Sequence, residues 1–318
     1  MTRCAVAVRV VNDAGEGAEL LLGLLRSLRP KQWTKNLLVF AGYLFTIEQM
    51  HPPGSLLRVL AALGLFCAVS GAGYVFNDAI DAEQDRKHPA KCKRPIAGGV
   101  VRVGAAVAFG VALAAGALIA AYFLDLYFFI LISAYLILAL AYSAILKHVV
   151  IVDILAIAAG FVIRAVAGAV VVESINPKTL AIERVEISAW LLVCTTLLAL
   201  FLGLAKRRSE LMALENGGIA HRRTLSEYTA PMLEQMLSIT AATTLMSYCL
   251  YTFTGKTGAS HPYMMATIPF VIYGLFRYLY LVHTRNAGGS PELVLLDDKP
   301  MLINLFLYVL TAAIALKV

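Results

Sequence analysis

The sequence predicts an all-α membrane protein with nine transmembrane helices, and three observations carry that prediction. The 318-residue chain is 60% apolar and only 15% charged, where soluble domains run nearer a quarter charged. Nine apolar runs approach or exceed the roughly 20 residues that cross a bilayer as a helix. Lysine and arginine are rich in alternate connections between those runs and sparse in the others.

Taken in order, the chain opens without a secretory signal. Arg9 interrupts the first apolar stretch, and the polar run 12–19 stands where a cleavage site would follow. Residues 1–19 are expected as a disordered cytosolic tail and 20–318 as one membrane domain. Leu21, Leu24, Leu25 and Leu28 recur at helical spacing, which predicts a short amphipathic helix on the membrane surface. Pro30 ends it. The run 29–36 then sets Lys31, Gln32, Lys35 and Asn36 around Trp33, a residue suited to headgroup level. The nine spans are expected at 34–50, 56–80, 100–122, 126–146, 149–172, 187–205, 236–253, 263–282 and 301–316. The first is the weakest, because its strictly apolar part runs only from Leu37 to Ile47. Glycine and serine recur inside spans, as membrane helix contacts favour. These small-residue faces allow a homo-oligomer, a trimer included.

With nine spans, 20 of the 27 basic residues fall on the amino-terminal side and 5 on the other, with Arg164 and Arg277 inside spans. That asymmetry places the amino terminus and the long basic loops in the cytosol and the carboxyl terminus outside. One missed or extra helix would scramble it. The longest connections, 81–99 and 206–235, share the cytosolic side and are expected to cap one site. The net charge of +7 therefore speaks of orientation and an anionic ligand, not of nucleic acid. The five cysteines (Cys4, Cys67, Cys92, Cys194, Cys249) form no C-x-x-C pair and imply neither a disulfide framework nor a zinc site.

The chemistry concentrates at residues 77–85. On a helix, Asn77, Asp81, Asp85 and Asp78 fall at roughly 0°, 40°, 80° and 100°, and Tyr74 points into the same arc. Three carboxylates on one face repel unless a cation sits between them. Magnesium suits an oxygen-only set and is commonly shared with substrate phosphates. The bland alternative is a solvated acidic helix end. Residues 86–99 follow at once with Arg86, Lys87, Lys91, Lys93 and Arg94. Carboxylate, metal and guanidinium together suit a diphosphate, although Lys87 and Lys91 serve equally well as positive-inside anchors. At the end of the sixth span, Lys206, Arg207 and Glu210 echo the first cluster with cations in place of most carboxylates. The third group is Tyr142 and Lys147 with Asp153 and Arg164. The last two lie within about 20° on one helix face and about 16 Å apart. They either face a polar cavity or form a structural pair inside the membrane. Arg277, in the eighth span, is open to either reading.

These residues resemble the UbiA superfamily of intramembrane prenyltransferases. Asn77, Asp78, Asp81 and Asp85 match its first acidic motif, N-D-x-x-D-x-x-x-D. His88, Pro89, Lys91, Arg94, Pro95 and Ile96 match the run that follows, and Tyr142, Ser143, Leu146 and Lys147 match Y-S-x-x-L-K. The resemblance covers residues 26–318 and implies nine helices around a central cavity that holds a polyprenyl chain. One departure stands out. Where the family carries a second motif, D-x-x-x-D, this chain has Lys206 and Glu210. A lysine in a metal's place is a fixed cation and implies a different phosphate arrangement.

Together with the segments around 29–36, 205–211 and 160–169, that departure resembles one branch of the family. Its members transfer a 5-phosphoribosyl group from phosphoribosyl pyrophosphate (PRPP) to decaprenyl phosphate, for cell-wall arabinan. The resemblance implies a bacterial plasma-membrane enzyme that uses Mg2+, PRPP and a polyprenyl phosphate among membrane lipids. Asn77, Asp78, Asp81 and Asp85 become the metal set, and Asp78, Asp81, Asp85 and Lys206 the catalytic set. Lys31, Lys35, Asn36, Tyr74, Asn77, Arg86, Lys91, Arg94, Tyr142, Lys147, Arg164 and Arg207 become substrate contacts. Which basic group takes the ribose 5-phosphate and which the lipid phosphate stays open. The rival readings are a prenyltransferase that uses a prenyl diphosphate, and a membrane transporter.

Overall fold

The structure, a computed structural model, describes residues 13–44, 46, 50–87, 91–176, 179–185, 188–215, 225, 227–254, 261–285, 289, 294 and 297–316. Helix α1 spans Asp13–Ser27, followed by a 3-10 helix over Pro30–Phe40 and one α-turn, α2, over Ala41–Leu44. Then come α3 (Ser55–Ile80), the short α4 (Ala82–Arg86), α5 (Val103–Leu124), α6 (Leu126–Ala144) and α7 (Val152–Val170). A two-stranded antiparallel hairpin, β1 (Glu173–Ile175) and β2 (Ile182–Arg184), leads to α8 (Ala189–Glu215) and α9 (Ala230–Thr254). Helix α10 (Ile268–Arg285), with a 3-10 lead-in from Pro262, and α11 (Lys299–Ala315) complete the described chain.

Seven of these helices are long and apolar enough to cross a membrane, and Lys299–Ala315 is a shorter apolar helix. The chain is a multi-pass membrane protein. The first expected span, 34–50, takes a different form, with a 3-10 helix and one α-turn in place of a continuous α-helix among the described residues. Its apolar stretch is too short to cross alone, and neighbouring backbone replaces lipid along it. A Cβ on Gly168 of α7 would lie 1.9 Å from Val39 O, and one on Gly42 would lie 2.5 Å from Ala169 Cα. Two glycines thus let this segment and α7 touch backbone to backbone.

Two other boundaries differ from expectation. Helix α1 begins at Asp13, inside the expected tail, because Ala18, Glu19 and the leucines after them are strong helix formers. Residues 1–12, with Cys4, lie outside the described residues. Helix α8 continues through Glu215 and α9 begins at Ala230, so the described part of the second expected cap, 206–235, is helical at both ends.

Helices α3 and α7 form the centre. Half or more of each apolar window is buried (50% and 56%), against 22–33% for the other five. Helix α3 packs on α5 and α6, α7 on α6 and α8, and α8 on α9. One core gathers Phe66, Phe128, Ile132 and Tyr135, and another gathers Phe201, Leu204, Leu233, Leu237 and Tyr278. Two of the described helix starts are capped by carboxylates, which satisfy orphan amides there. Asp125 accepts from Phe128 N at 2.9 Å, and Asp298 accepts from Met301 N at 3.0 Å. Asp298 also receives both arms of Arg277, at 3.2 and 2.9 Å, so the charge in the eighth expected span is a structural pair.

The end of the bundle carrying the hairpin is cross-braced. Arg58 of α3 meets Glu173 at 3.0 Å, Arg184 meets Asp125 at 2.7 Å, and the His51 ring lies 2.8 Å from both Thr46 O and Glu173 O. An apolar groove of about 460 Å³ between α3 and α5 is lined by Ala61, Gly64, Leu65, Ala120, Phe123 and Leu124. Ala61 lies 17 residues from Asp78, about 25 Å along the helix, so the groove is remote from the acidic stretch.

Gly168→Ala is expected to destabilise the protein by about 1–3 kcal/mol through overpacking against Val39. Gly64→Ala, which has open space around it, should leave stability unchanged. Thermal unfolding of the detergent-solubilised protein checks both, and equal melting temperatures for the two variants would contradict the contact.

Candidate active site

The acidic stretch begins where α3 ends. Helix α3 stops at Ile80, and Asp81 (φ −87°, ψ 3°) joins it to α4. The backbone ladder continues across the join, with Asp81 N–H donating to Asn77 O at 2.9 Å and Asp85 N–H to Asp81 O at 2.8 Å. The expected shared face therefore holds approximately, but its members separate by partner. Asp78 and Asp85 are each only 3% exposed. One nitrogen of Arg94 lies between them, 3.0 Å from Asp78 and 2.5 Å from Asp85. Arg29 also bonds Asp78, and its guanidinium covers the Tyr74 ring at 5.0 Å. Lys91 lies 3.9 Å from Asp85, and Lys147, itself buried, donates to Asp81 at 2.7 Å. Asn77 is half-buried on the same turn.

The carboxylates of the expected metal face are each paired with a lysine or arginine side chain. Among the described residues, no three acidic, histidine or cysteine side chains converge as a metal-binding group. Each aspartate has turned to a cation instead, because charge held this far from water needs a countercharge. The donor set still fits magnesium in kind, since it consists of oxygens alone.

A second network lies beside the first. Asp153, at the start of α7, is fully buried, and so is Arg207 of α8, at 1% exposure. Arg207 Nε donates to Asp153 at 2.7 Å, while its two other nitrogens reach Glu210 at 2.5 Å and Tyr142 Oη at 3.4 Å. Tyr228 Oη donates to the second Asp153 oxygen at 2.9 Å and accepts from Ile151 N–H at 2.7 Å. Burial pushes the Tyr228 hydroxyl up to about 12, so it remains a donor at any working pH. Lys206 is half-buried on the same helical turn as Arg207.

Arg164 stands apart. It lies 12 residues beyond Val152, about 18 Å into the bundle, and is 5% exposed. It donates to Asn36 Oδ1 at 2.8 Å, Gly160 O at 2.9 Å and Tyr135 Oη at 2.7 Å. Asn36 in turn donates to Ser70 at 3.0 Å. So Asp153 and Arg164 do not pair with each other. The first binds α8, and the second binds the 3-10 segment to α3 and α6.

The remaining candidates lie around the acidic end. Arg86 is exposed and donates to Ala97 O at 3.3 Å; Lys31 is exposed; Lys35, half-buried, donates to Gln32 at 2.5 Å. His88, Pro89, Arg222 and Arg223 fall outside the described residues. Three residues at the site were not singled out by spacing. Arg29 has a left-handed backbone (φ 51°), and its position before Pro30, which disfavours the α region, was the available signal. Glu234 and Tyr228 gave none, since an exposed acid on α9 pairing Arg208 at 3.0 Å and a loop tyrosine look ordinary in sequence.

Comparison with known proteins gives this bundle, with its acidic helix end ringed by cations, a family. The UbiA prenyltransferase family model matches residues 36–310, and the chain belongs to that family. It is 33% identical over 302 residues to a decaprenyl-phosphate phosphoribosyltransferase of Corynebacterium glutamicum, covering 93% of this chain and 87% of that one. It is 31% identical over 315 residues to the protein of the same name from Mycolicibacterium smegmatis, covering 95% of each. A UbiA homolog from Archaeoglobus fulgidus, solved bound to GPP and Mg2+, shares the fold with a TM-score of 0.66 at 18% identity, covering 93% of this chain and all of that one.

Breaking the buried pair by Asp153→Ala is expected to cost about 3–5 kcal/mol, because it leaves Glu210 alone to balance the buried Arg207 charge. Removing both charges, as Asp153→Ala with Arg207→Met, should recover much of that loss. Denaturant titration of the single and double variants measures the difference, and a double variant less stable than the single one would count against the pair.

Proposed function

We propose that the protein transfers a 5-phosphoribosyl group from PRPP to a polyprenyl phosphate such as decaprenyl phosphate, and releases pyrophosphate. The observation that carries this reading is the end of α8. Where a second acidic motif would hold a second metal, Lys206 and the Arg207–Glu210 pair stand beside a single acidic cluster. The two relatives named for this activity support it across nearly the whole chain. The working end faces the cytosol of a bacterial plasma membrane, where PRPP is soluble, and the product serves cell-wall arabinan synthesis.

In this reading Asp78 and Asp81 hold a magnesium ion, with Asn77 and Asp85 assisting. When bound, the ion neutralises the pyrophosphate oxygens. With a metal held there, Arg94 and Arg29 would be free to leave Asp78, and these guanidiniums, with Lys91 and Arg86, would bind the same oxygens, which suit bidentate donors. Tyr74 keeps Arg29 in place beneath them. The bond from the anomeric carbon to the pyrophosphate oxygen breaks, and one from the lipid phosphate oxygen forms. The attacking oxygen is already anionic, so no general base is needed. Catalysis is positioning together with stabilisation of charge on the leaving group.

The contacts also refine the other roles. Lys147, held on Asp81, serves the diphosphate end. Lys206, with Tyr142 nearby, takes the ribose 5-phosphate. Lys31 and Lys35, at the headgroup-level segment, take the lipid phosphate. Arg207, Asn36 and Arg164 are buried struts that hold these groups in place.

Radiolabelled PRPP supplied with a long polyprenyl phosphate and magnesium is expected to place label in the organic extract. Chelator should abolish transfer. Asp78→Ala and Asp81→Ala should lose nearly all activity while running as folded protein on size exclusion. Unlabelled lipid, with turnover of a prenyl diphosphate in its place, would move the protein to the ordinary prenyltransferases. Full activity in chelator would refute the metal assignment.

A further inference from the structure

The turn joining α6 to α7 is strained, and a side chain from a distant part of the chain holds it. Val152 N–H donates to Val150 O at 2.8 Å, closing a three-residue turn around Ile151. Ile151 has φ 70° and ψ −46°, the γ-turn of the rare, strained hand. For a β-branched residue this is a genuine outlier, and such conformations persist where surrounding structure enforces them. Here the enforcing group is the Tyr228 hydroxyl, just before α9. It accepts from Ile151 N–H at 2.7 Å and donates to Asp153 at 2.9 Å. Asp153 is anchored by Arg207, and Tyr228 is 3% exposed, so the hydroxyl sits in a fixed place.

The same turn carries Lys147. Its ammonium is buried and donates to Asp81 at 2.7 Å, and it lies four residues before Ile151. The backbone between them is tied locally by His148 N–H to Ile145 O at 2.9 Å and Val149 N–H to Leu146 O at 3.1 Å. A change at Ile151 therefore moves the base from which Lys147 reaches the acidic cluster.

We infer that Tyr228 is a positioning residue for the diphosphate end of the site, its hydroxyl holding Ile151 in the strained turn and so setting Lys147 against Asp81. The inference rests on reading the acidic end as a diphosphate site, whichever donor carries the diphosphate. Tyr228 touches no substrate in this scheme; it acts through Ile151 and Lys147.

The test is calorimetric binding of magnesium pyrophosphate to the full-length protein in detergent, with PRPP transfer measured alongside. Tyr228→Phe should weaken pyrophosphate binding about tenfold, the effect of one well-placed hydrogen bond. Adding Ile151→Gly should restore affinity to within about threefold of wild type, because glycine adopts positive φ without a Cβ penalty. Lys147→Met should lose as much as Tyr228→Phe, and combining the two should lose no more. Wild-type binding by Tyr228→Phe, a loss that Ile151→Gly does not recover, or a further loss in the Lys147→Met background would each overturn the inference. If Tyr228→Phe does not fold, Ile151→Gly is compared with Ile151→Gly/Tyr228→Phe, where a tenfold difference would overturn it. A wild-type protein that binds no pyrophosphate overturns the diphosphate reading itself. One that binds pyrophosphate but does not use PRPP overturns only the donor.

Discussion

A carboxylate at the end of a membrane helix stays charged only with a cation beside it, and that constraint arranges one whole end of this molecule. Asp78, Asp81, Asp85 and Asp153 each meet a lysine or arginine within 3.0 Å. Their partners come from the join after α1, the segment after α4, the turn after α6, and α8. Ion pairing therefore gathers elements that hydrophobic packing alone would leave free to slide. A buried pair contributes little net stability, since desolvation offsets most of its attraction. Its value here is register: each ion pair fixes where one element meets the next.

Helix α7 is the second organising element, and its residues act at three depths. Asp153 at its start binds α8, Arg164 further in binds the 3-10 segment and α6, and Gly168 near its end admits the Val39 backbone. This explains why a segment with only a short apolar stretch can lie within the bundle. Its polar side chain Asn36 is satisfied by Arg164 and Ser70, and its backbone presses against glycine where lipid would leave it unsatisfied.

Much of this was legible in the sequence. Hydropathy and basic-residue asymmetry placed the spans to within a few residues for α3, α5, α6 and α7. The family resemblance and the unusual Lys206 and Glu210 pair were written in local strings. Partner choice was not legible. Asp153 and Arg164 share a helical face by spacing, yet a helix face does not say which neighbouring helix presents Arg207 or Asn36. In sequence Arg29 looks like any positive-inside residue, because nothing local distinguishes an anchor from a partner of Asp78. The strain at Ile151 was invisible for the same reason: it is imposed by a tyrosine 77 residues away. The weak first span was legible as weak, but the glycine contacts that accommodate it were not.

The braced hairpin end gives the molecule a direction. Arg58–Glu173, Arg184–Asp125 and the His51 contacts tie α3, α6 and the hairpin together at one end, while the opposite end carries the ion pairs of Asp78, Asp81 and Asp85. Under the proposed activity, a bundle fastened at one face and polar at the other would take its donor from, and return its leaving group to, one aqueous compartment. Such chemistry would perform no vectorial work across the bilayer.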